Sequence, residues 1–265
     1  MRVKIKENYD ELSKWTADYI VYRINKYHPY PRKPFVLGLP SGSTPLGMFK
    51  YLAKAYKDKL ISFENVIFFS MGEYVGMGAG DKQSLQYILW DEFLKYINVK
   101  PEHVYFLNGL TKDFAKECTN YEKNIKKYGG VDLFIGGVGV DGHIAFNEPY
   151  SSLSSRTRAK MLAPSTKQAN SRFFNNDVSK VPSLVLTIGI STIMEAQEVL
   201  IMASGKQKSQ AIQKAIEGDI THAWPISVLQ KHLQGIIVCD KEAASALSAE
   251  TIQYFTDLQK VPQFI

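Results

Sequence analysis

The chain has 265 residues, 45% of them hydrophobic and 22% charged, a globular composition with enough length for one large α/β domain over residues 1–265. The formal net charge of +6 forms no Lys/Arg block, so nucleic-acid binding is not indicated and a small anionic substrate fits better. Two cysteines without Cys-x-x-Cys spacing indicate neither a disulfide framework nor a zinc site. Because no window approaches membrane-spanning length and the N-terminus lacks an apolar signal core, we expect a cytoplasmic protein with no membrane partner.

The predicted elements alternate between strands and helices along the chain. A short strand covers residues 1–6, and the capping pair Asn8 and Glu11 opens a helix. Apolar runs predict buried strands at 35–39, 66–69, 131–135, 184–190, 199–202 and 235–239. Stretches between these runs predict helices at 46–57, 114–127 and 209–217. This alternation predicts an α/β fold with a doubly wound, mostly parallel sheet and helices on both faces. Residues 160–182, polar and irregular from 164 onward, are expected to form a small lid insertion.

The loop Ser41-Gly42-Ser43-Thr44 follows a predicted strand and precedes a predicted helix. Its hydroxyls, its free N–H groups and the helix dipole would converge on an anion. It is not the P-loop of nucleotide hydrolases, because no lysine follows the second glycine. A plain Ser/Thr helix cap explains the loop equally well. The anion interpretation gains from Arg172 and Lys208, which could pair with a phosphate, and from the complete lack of acids between residues 149 and 176.

Residues 137–142 match the Gly-x-Gly-x-x-Gly pattern of dinucleotide-binding loops after a predicted strand. That pattern needs a helix at its last glycine and an acid about 20 positions further on. Pro149 closes the segment too early for a full helix, and the next acid after Glu148 is Asp177. A nicotinamide cofactor is therefore not predicted. The glycines, Gly137 among them, let backbone N–H groups approach a small anionic or sugar ligand, with a structural turn as the alternative.

The same loop carries Asp141, His143 and Glu148, three ionisable side chains at the end of a buried strand. Loops in this position bind ligands in open α/β sheets. An imidazole near its ordinary pKa moves protons at neutral pH, and carboxylates orient it, so the trio predicts acid–base catalysis. Metal binding fits less well, since the spacing is not His-Glu-x-x-His and no second histidine lies nearby. A histidine with a purely structural role in the loop is the alternative.

Taken together, the motifs resemble the glucosamine-6-phosphate deaminase (isomerase) family over nearly the whole chain. The resembling segments are 37–45, 71–76, 136–149, 151–158, 169–174 and Trp224. The resemblance implies a Rossmann-like α/β domain that converts glucosamine 6-phosphate to fructose 6-phosphate and ammonia without a metal or organic cofactor. It also implies that Ser43, Arg172 and Lys208 hold the substrate phosphate. His143, with Asp141 and Glu148, would open the sugar ring.

The chain departs from the family at the base that moves a proton from C2 to C1. The family has an aspartate in Met-Asp-Glu-Tyr, whereas this chain reads Met71-Gly72-Glu73-Tyr74. Loss of a general base costs on the order of 10²- to 10⁴-fold in rate, so weakened deamination is predicted. Glu73 is the nearest substitute, but adjacent residues of an extended segment point to opposite sides, so it would need the flexibility of Gly72. A structural role for Glu73 is the alternative.

Family members regulated by N-acetylglucosamine 6-phosphate carry a second site between subunits. The resemblance places it here at Ser151, Ser152, Arg158, Lys160, Met161 and Tyr254, although Met161 replaces a usual polar residue. Allosteric control by this effector and a homo-oligomer, often a hexamer, are the corresponding expectations. The basic residues also fit a solvated face.

Three functions are open at this point. The leading hypothesis is a deaminase-type enzyme that binds a hexosamine 6-phosphate and opens its ring, with weakened or altered deamination. A catalytically silent sugar-phosphate binding or regulatory subunit is the second, because Gly72 stands beside otherwise intact phosphate and ring-opening groups. The third is a 6-phosphogluconolactonase-like hydrolase, which needs no C2 base, but the close match over residues 147–158 argues against it.

Overall fold

A computed structural model describes residues 1–258, so residues 259–265 of the predicted domain lie outside it. Its strands are β1 (Arg2–Lys6), β2 (Phe35–Leu39), β3 (Val66–Ser70), β4 (Gly72–Tyr74), β5 (Val104–Tyr105), β6 (Leu133–Gly137), β7 (Arg158–Met161), β8 (Leu184–Thr187), β9 (Glu198–Ala203) and β10 (Gly235–Asp240). Seven of them form one parallel sheet in the order β1-β10-β9-β6-β2-β3-β5. The predicted mostly parallel α/β sheet is confirmed.

The chain has eight α-helices within residues 1–258, and seven of them cover the two faces of the large sheet. The eight helices are α1 (Tyr9–Tyr27), α2 (Leu46–Lys57), α3 (Leu85–Glu92), α4 (Phe114–Lys127), α5 (Pro164–Asn170), α6 (Ile190–Met194), α7 (Ser209–Ile216) and α8 (Ala249–Leu258). Successive residues of β2 point to opposite faces, so Val36 joins one core cluster and Leu37 the other. The Leu37 cluster contains α1, α2 and α3, and the Val36 cluster contains α4, α6, α7 and part of α8. This is the doubly wound arrangement expected from the alternating elements.

Three strands form a second, antiparallel sheet in the order β4-β8-β7. The expectation that residues 184–190 add a strand to the parallel sheet is wrong, since they supply β8 to the small sheet and then begin α6. A fully buried strand has the same apolar run in either sheet, so the run does not reveal its partner. The strand predicted at 131–135 is also displaced, to Leu133–Gly137.

The carboxyl ends of the parallel strands bring three loops to one edge, after β2, β6 and β9. Residues 162–183 connect β7 to β8 and reach the same edge, with α5 and a 3-10 turn at Ser171–Phe174. The insertion therefore begins after β7, two residues later than the predicted 160, because residues 158–161 pair with β8. Within residues 1–258, no helix has both the length and the apolar character that a bilayer crossing requires.

Candidate active site

A cavity of about 680 Å³ opens at this edge, between the three loops and the α5 segment. Elements far apart in the chain contribute to its wall because parallel strands end on the same side. All seven residues predicted to contact the substrate line it, namely Ser41, Gly42, Ser43, Thr44, Gly137, Arg172 and Lys208. The folding of the chain thus brings the loop after β2 and the two predicted cations to one cavity.

The loop after β2 presents polar groups to the cavity at the beginning of α2. Pro45, the residue before α2, provides no side-chain cap for the first turn of this helix. Tyr9 holds the loop in place, since its hydroxyl donates to the Thr44 carbonyl oxygen at 2.9 Å and accepts from the Gly47 N–H at 2.9 Å. The arrangement suits an anion at the helix N-terminus.

Cations outnumber carboxylates on the cavity wall. Lys50, Arg172 and Lys208 line it, and among the described residues Asp141 is the sole carboxylate there. Burial lowers the pKa of Lys208, and the nearby Arg172 charge lowers it further, while Asp141 opposes both. An anionic ligand would relieve the repulsion between Arg172 and Lys208, so the wall favours a doubly charged group such as a phosphate.

Asp141 and His143 form a hydrogen-bonded pair on the wall. Nδ1 of His143 lies 2.7 Å from Oδ1 of Asp141, which also accepts from the His143 backbone N–H at 3.2 Å. Because a carboxylate only accepts, the neutral imidazole carries its proton on Nδ1 in this arrangement, and Nε2 is its acceptor. Burial raises the pKa of Asp141, but the bonds and charge of His143 outweigh it and leave this pKa below its ordinary value. A β-carbon at Gly139 would collide with the imidazole, so glycine is needed there.

Glu148 lies apart from this pair. Its carboxylate is buried and accepts from the Ala163 N–H, at the beginning of α5. The Ala163 nitrogen lies 2.8 Å from each carboxylate oxygen. Glu148 is not among the cavity-lining residues. The structure therefore joins two of the three predicted ring-opening residues and places the third against the segment that precedes α5.

Gly72 is buried in β4, an edge strand of the small sheet. It pairs with Thr187, and a β-carbon on it would lie 2.7 Å from the Leu186 carbonyl oxygen and 3.1 Å from two ring carbons of Phe146. Gly72 does not line the cavity. The backbone of β8 and an aromatic ring thus occupy the space that a side chain at position 72 would enter.

Glu73 is also off the cavity wall, and it is 1% exposed. Its carboxylate accepts from the N–H groups of Tyr74 at 2.8 Å, Leu85 at 3.0 Å and Gln86 at 2.9 Å. Two of these donors open α3, where an acid is favourable. Burial raises the pKa of Glu73, and the three hydrogen bonds oppose that rise. Its contacts support the structural alternative and give it no path to the cavity.

Several cavity-lining side chains were not predicted from the sequence, among them Tyr9, Lys50, Tyr74 and Asn170. Tyr9 begins α1, far from any ligand motif, and no local pattern marks it. The Tyr74 hydroxyl accepts from the Asn170 side chain at 3.0 Å, which ties β4 to the end of α5. Within residues 1–258, no group of three or more His, Cys, Asp or Glu side chains is placed to hold a metal ion.

The family model for glucosamine-6-phosphate isomerases/6-phosphogluconolactonase matches residues 7–238. The chain belongs to this family. A glucosamine-6-phosphate deaminase of Treponema denticola is 51% identical over 260 residues, covering 98% of this chain and 96% of the relative. Its counterpart in Phocaeicola vulgatus is 52% identical over 260 residues, covering 98% and 99%.

Solved structures of the glucosamine-6-phosphate isomerase/6-phosphogluconolactonase family share this fold. A glucosamine-6-phosphate deaminase described as monomeric superposes with a TM-score of 0.88 at 35% identity, covering 93% of this chain and all of that one. A 6-phosphogluconolactonase from Leishmania guyanensis superposes with a TM-score of 0.71 at 20% identity, covering 94% and 99%. The second likeness shows the fold alone.

The predicted effector residues of this family member lie outside the cavity wall. The Ser151 hydroxyl is buried without a hydrogen-bond partner among the described residues, and the Arg158 guanidinium donates to Oδ1 of Asn147 at 2.8 Å. Met161 and Tyr254 are exposed. Ser152 precedes β7, and Lys160 lies within it.

Proposed function

We propose that this chain is a glucosamine-6-phosphate deaminase in which ring opening is retained and proton transfer at C2 is slow. The observation that carries the proposal is the Asp141–His143 pair on the wall of a cavity that also holds Lys208 and the Ser41–Thr44 loop. Relatives about half identical over nearly the whole chain, named as deaminases, support the substrate class.

In the proposed reaction, the Ser41–Thr44 loop, Arg172 and Lys208 bind the 6-phosphate of the sugar. Nε2 of His143 removes the proton from the anomeric hydroxyl, the bond from C1 to the ring oxygen breaks, and the proton passes to the ring oxygen. Asp141 stabilises the imidazolium that forms between these steps, because its carboxylate already accepts from Nδ1. One base that receives and returns a proton is sufficient for ring opening.

Deamination then requires a proton to move from C2 to C1, after which water releases ammonia from C2. Glu73 is held by three backbone N–H groups and Glu148 by the Ala163 N–H, so neither carboxylate faces the cavity. Gly72 offers no side chain. We expect the C2 step to be slower by about 10²- to 10⁴-fold than with a positioned base.

Residues 162–183 are proposed to act as a lid, since Arg172 and most of the inner face of α5 lie on the cavity wall. Binding of N-acetylglucosamine 6-phosphate near Ser151, Ser152, Arg158, Lys160, Met161 and Tyr254 stays a prediction, tested by a kinetic titration. The homo-oligomer and the cytoplasmic location also stay predictions. The similar solved deaminase is described as monomeric, so the oligomeric state of this chain needs a direct measurement, which light scattering provides.

The decisive experiment separates ring opening from deamination. Ammonia and fructose 6-phosphate are measured after adding glucosamine 6-phosphate, and exchange between the two anomers of the sugar is followed by NMR under the same conditions. We expect accelerated anomer exchange with slow ammonia release, and loss of both in His143→Gln. Fast ammonia release by the unaltered protein would contradict the slow-step proposal.

A sugar-phosphate binding subunit without catalytic activity is the second candidate. It is favoured by the buried position of Gly72, where a β-carbon would meet the Leu186 carbonyl oxygen and the Phe146 ring. In that case the protein binds glucosamine 6-phosphate, but neither anomer exchange nor ammonia release exceeds the rate without protein. Hydrolysis of 6-phosphogluconolactone is measured in parallel and is expected to be absent.

A further inference from the structure

Asp240 ends β10 beside the cavity without lining it. The side chain is buried, with 4% exposure, and its carboxylate receives hydrogen bonds from three residues. The Ala243 N–H donates at 2.8 Å, the Gly205 N–H donates at 3.1 Å to each oxygen, and the Ser204 hydroxyl also donates. Two of the three donors belong to the loop after β9.

That loop, residues 204–208, supplies three cavity-lining side chains: Ser204, Gln207 and Lys208. Gly205 has a φ of 89°, so the chain leaves β9 through a left-handed residue that favours glycine. The Gly205 carbonyl in turn accepts from the Lys208 N–H at 3.0 Å. A continuous set of hydrogen bonds therefore runs from Asp240 through Gly205 to Lys208.

We infer that Asp240 is a positioning residue for the 6-phosphate subsite, acting through Ser204 and Lys208. The inference rests on the proposed function, which assigns Lys208 to the phosphate. On charge alone a carboxylate next to an anion subsite weakens anion binding. Its hydrogen bonds have the opposite effect, because they hold the cation and the hydroxyl in place before the ligand arrives and so reduce the ordering that binding requires.

The opposed effects make the inference testable with a matched pair of variants. Asp240→Ala and Asp240→Asn remove the same charge, but the asparagine amide oxygen still accepts from Gly205 and Ala243. If Asp240 acts through its charge, both variants bind anions more tightly than the unaltered protein. If it positions the loop, alanine weakens binding about tenfold and asparagine changes it much less.

The assay is calorimetric titration of the full chain with inorganic phosphate, followed by KM and kcat for glucosamine 6-phosphate. We expect Asp240→Ala to raise the phosphate dissociation constant and KM together with little change in kcat, and Asp240→Asn to restore most of the loss. Gly205→Ala is a second variant that leaves the carboxylate intact. Its strained φ displaces the same loop, so phosphate binding is expected to weaken there too.

Thermal unfolding and the near-UV spectrum show whether each variant is folded, and Gly205→Ala carries the test if Asp240→Ala is not. Unchanged or tighter phosphate binding in folded Asp240→Ala overturns the positioning role and leaves the proposed function intact. If the unaltered protein binds phosphate no better than Lys208→Ala does, the proposed phosphate subsite fails, and the inference fails with it.

Discussion

Replacing Gly72 with aspartate tests both the packing of the small sheet and the missing base. The new β-carbon would lie 2.7 Å from the Leu186 carbonyl oxygen, too close for any real contact, so β4 must move away from β8. Overpacking of this kind costs about 1–3 kcal/mol, which lowers Tm by roughly 2–12 °C in a chain of this size. A carboxylate that reaches C2 is expected to raise the ammonia-release rate by about 10²- to 10⁴-fold.

The two effects of Gly72→Asp have opposite signs, so a matched control separates them. Gly72→Asn has nearly the same shape without a base, and we expect the same fall in Tm with no gain in ammonia release. Calorimetry measures the first quantity, and a coupled ammonia assay the second. If Gly72→Asp and Gly72→Asn unfold at the temperature of the parent chain, the packing argument is wrong. If the parent and Gly72→Asp release ammonia at equal, high rates, the base is not missing.

Further predictions concern residues around the cavity. Glu73→Gln places an amide N–H₂ against backbone donors. We expect it to lower the free energy of unfolding by about 1–3 kcal/mol in urea, with kcat unchanged. A loss of kcat without a loss of stability would instead make Glu73 a base. Because the pKa of Asp141 is lowered, its stabilising effect exists above its ordinary pKa and is lost as pH falls through the folded value. The stability gap to Asp141→Asn should therefore persist from pH 7 to about pH 4, and a gap already closed at about pH 6 would refute this. Tyr9→Phe removes the bridge between Thr44 and Gly47 and is expected to weaken phosphate binding roughly fivefold by calorimetry, whereas equal binding would show that the loop needs no support.

The large sheet could be predicted because fully buried parallel strands are continuous apolar runs and their loops meet at one edge. The small sheet could not be, since β4 has three residues and its pairing with β8 depends on contacts between distant segments. The candidate active site was likewise predictable only in part. Loops next to strands revealed several of the cavity-lining residues. That Glu148 bonds the Ala163 N–H rather than His143 depends on a side-chain conformation that no local pattern encodes. Tyr9 was missed because it reaches the cavity from a different element.

The two ends of the proposed lid, residues 162–183, are held together by the small sheet. Met161 pairs with Leu184, and the Leu162 N–H donates to the Ser183 carbonyl oxygen at 2.8 Å. For a loop closed in this way, doubling the length costs only about 0.6 kcal/mol of entropy, and the strands outside it need not change. The length and sequence of residues 162–183 can therefore diverge while the rest of the domain keeps its fold, and we expect such divergence to change which phosphorylated sugar the cavity admits.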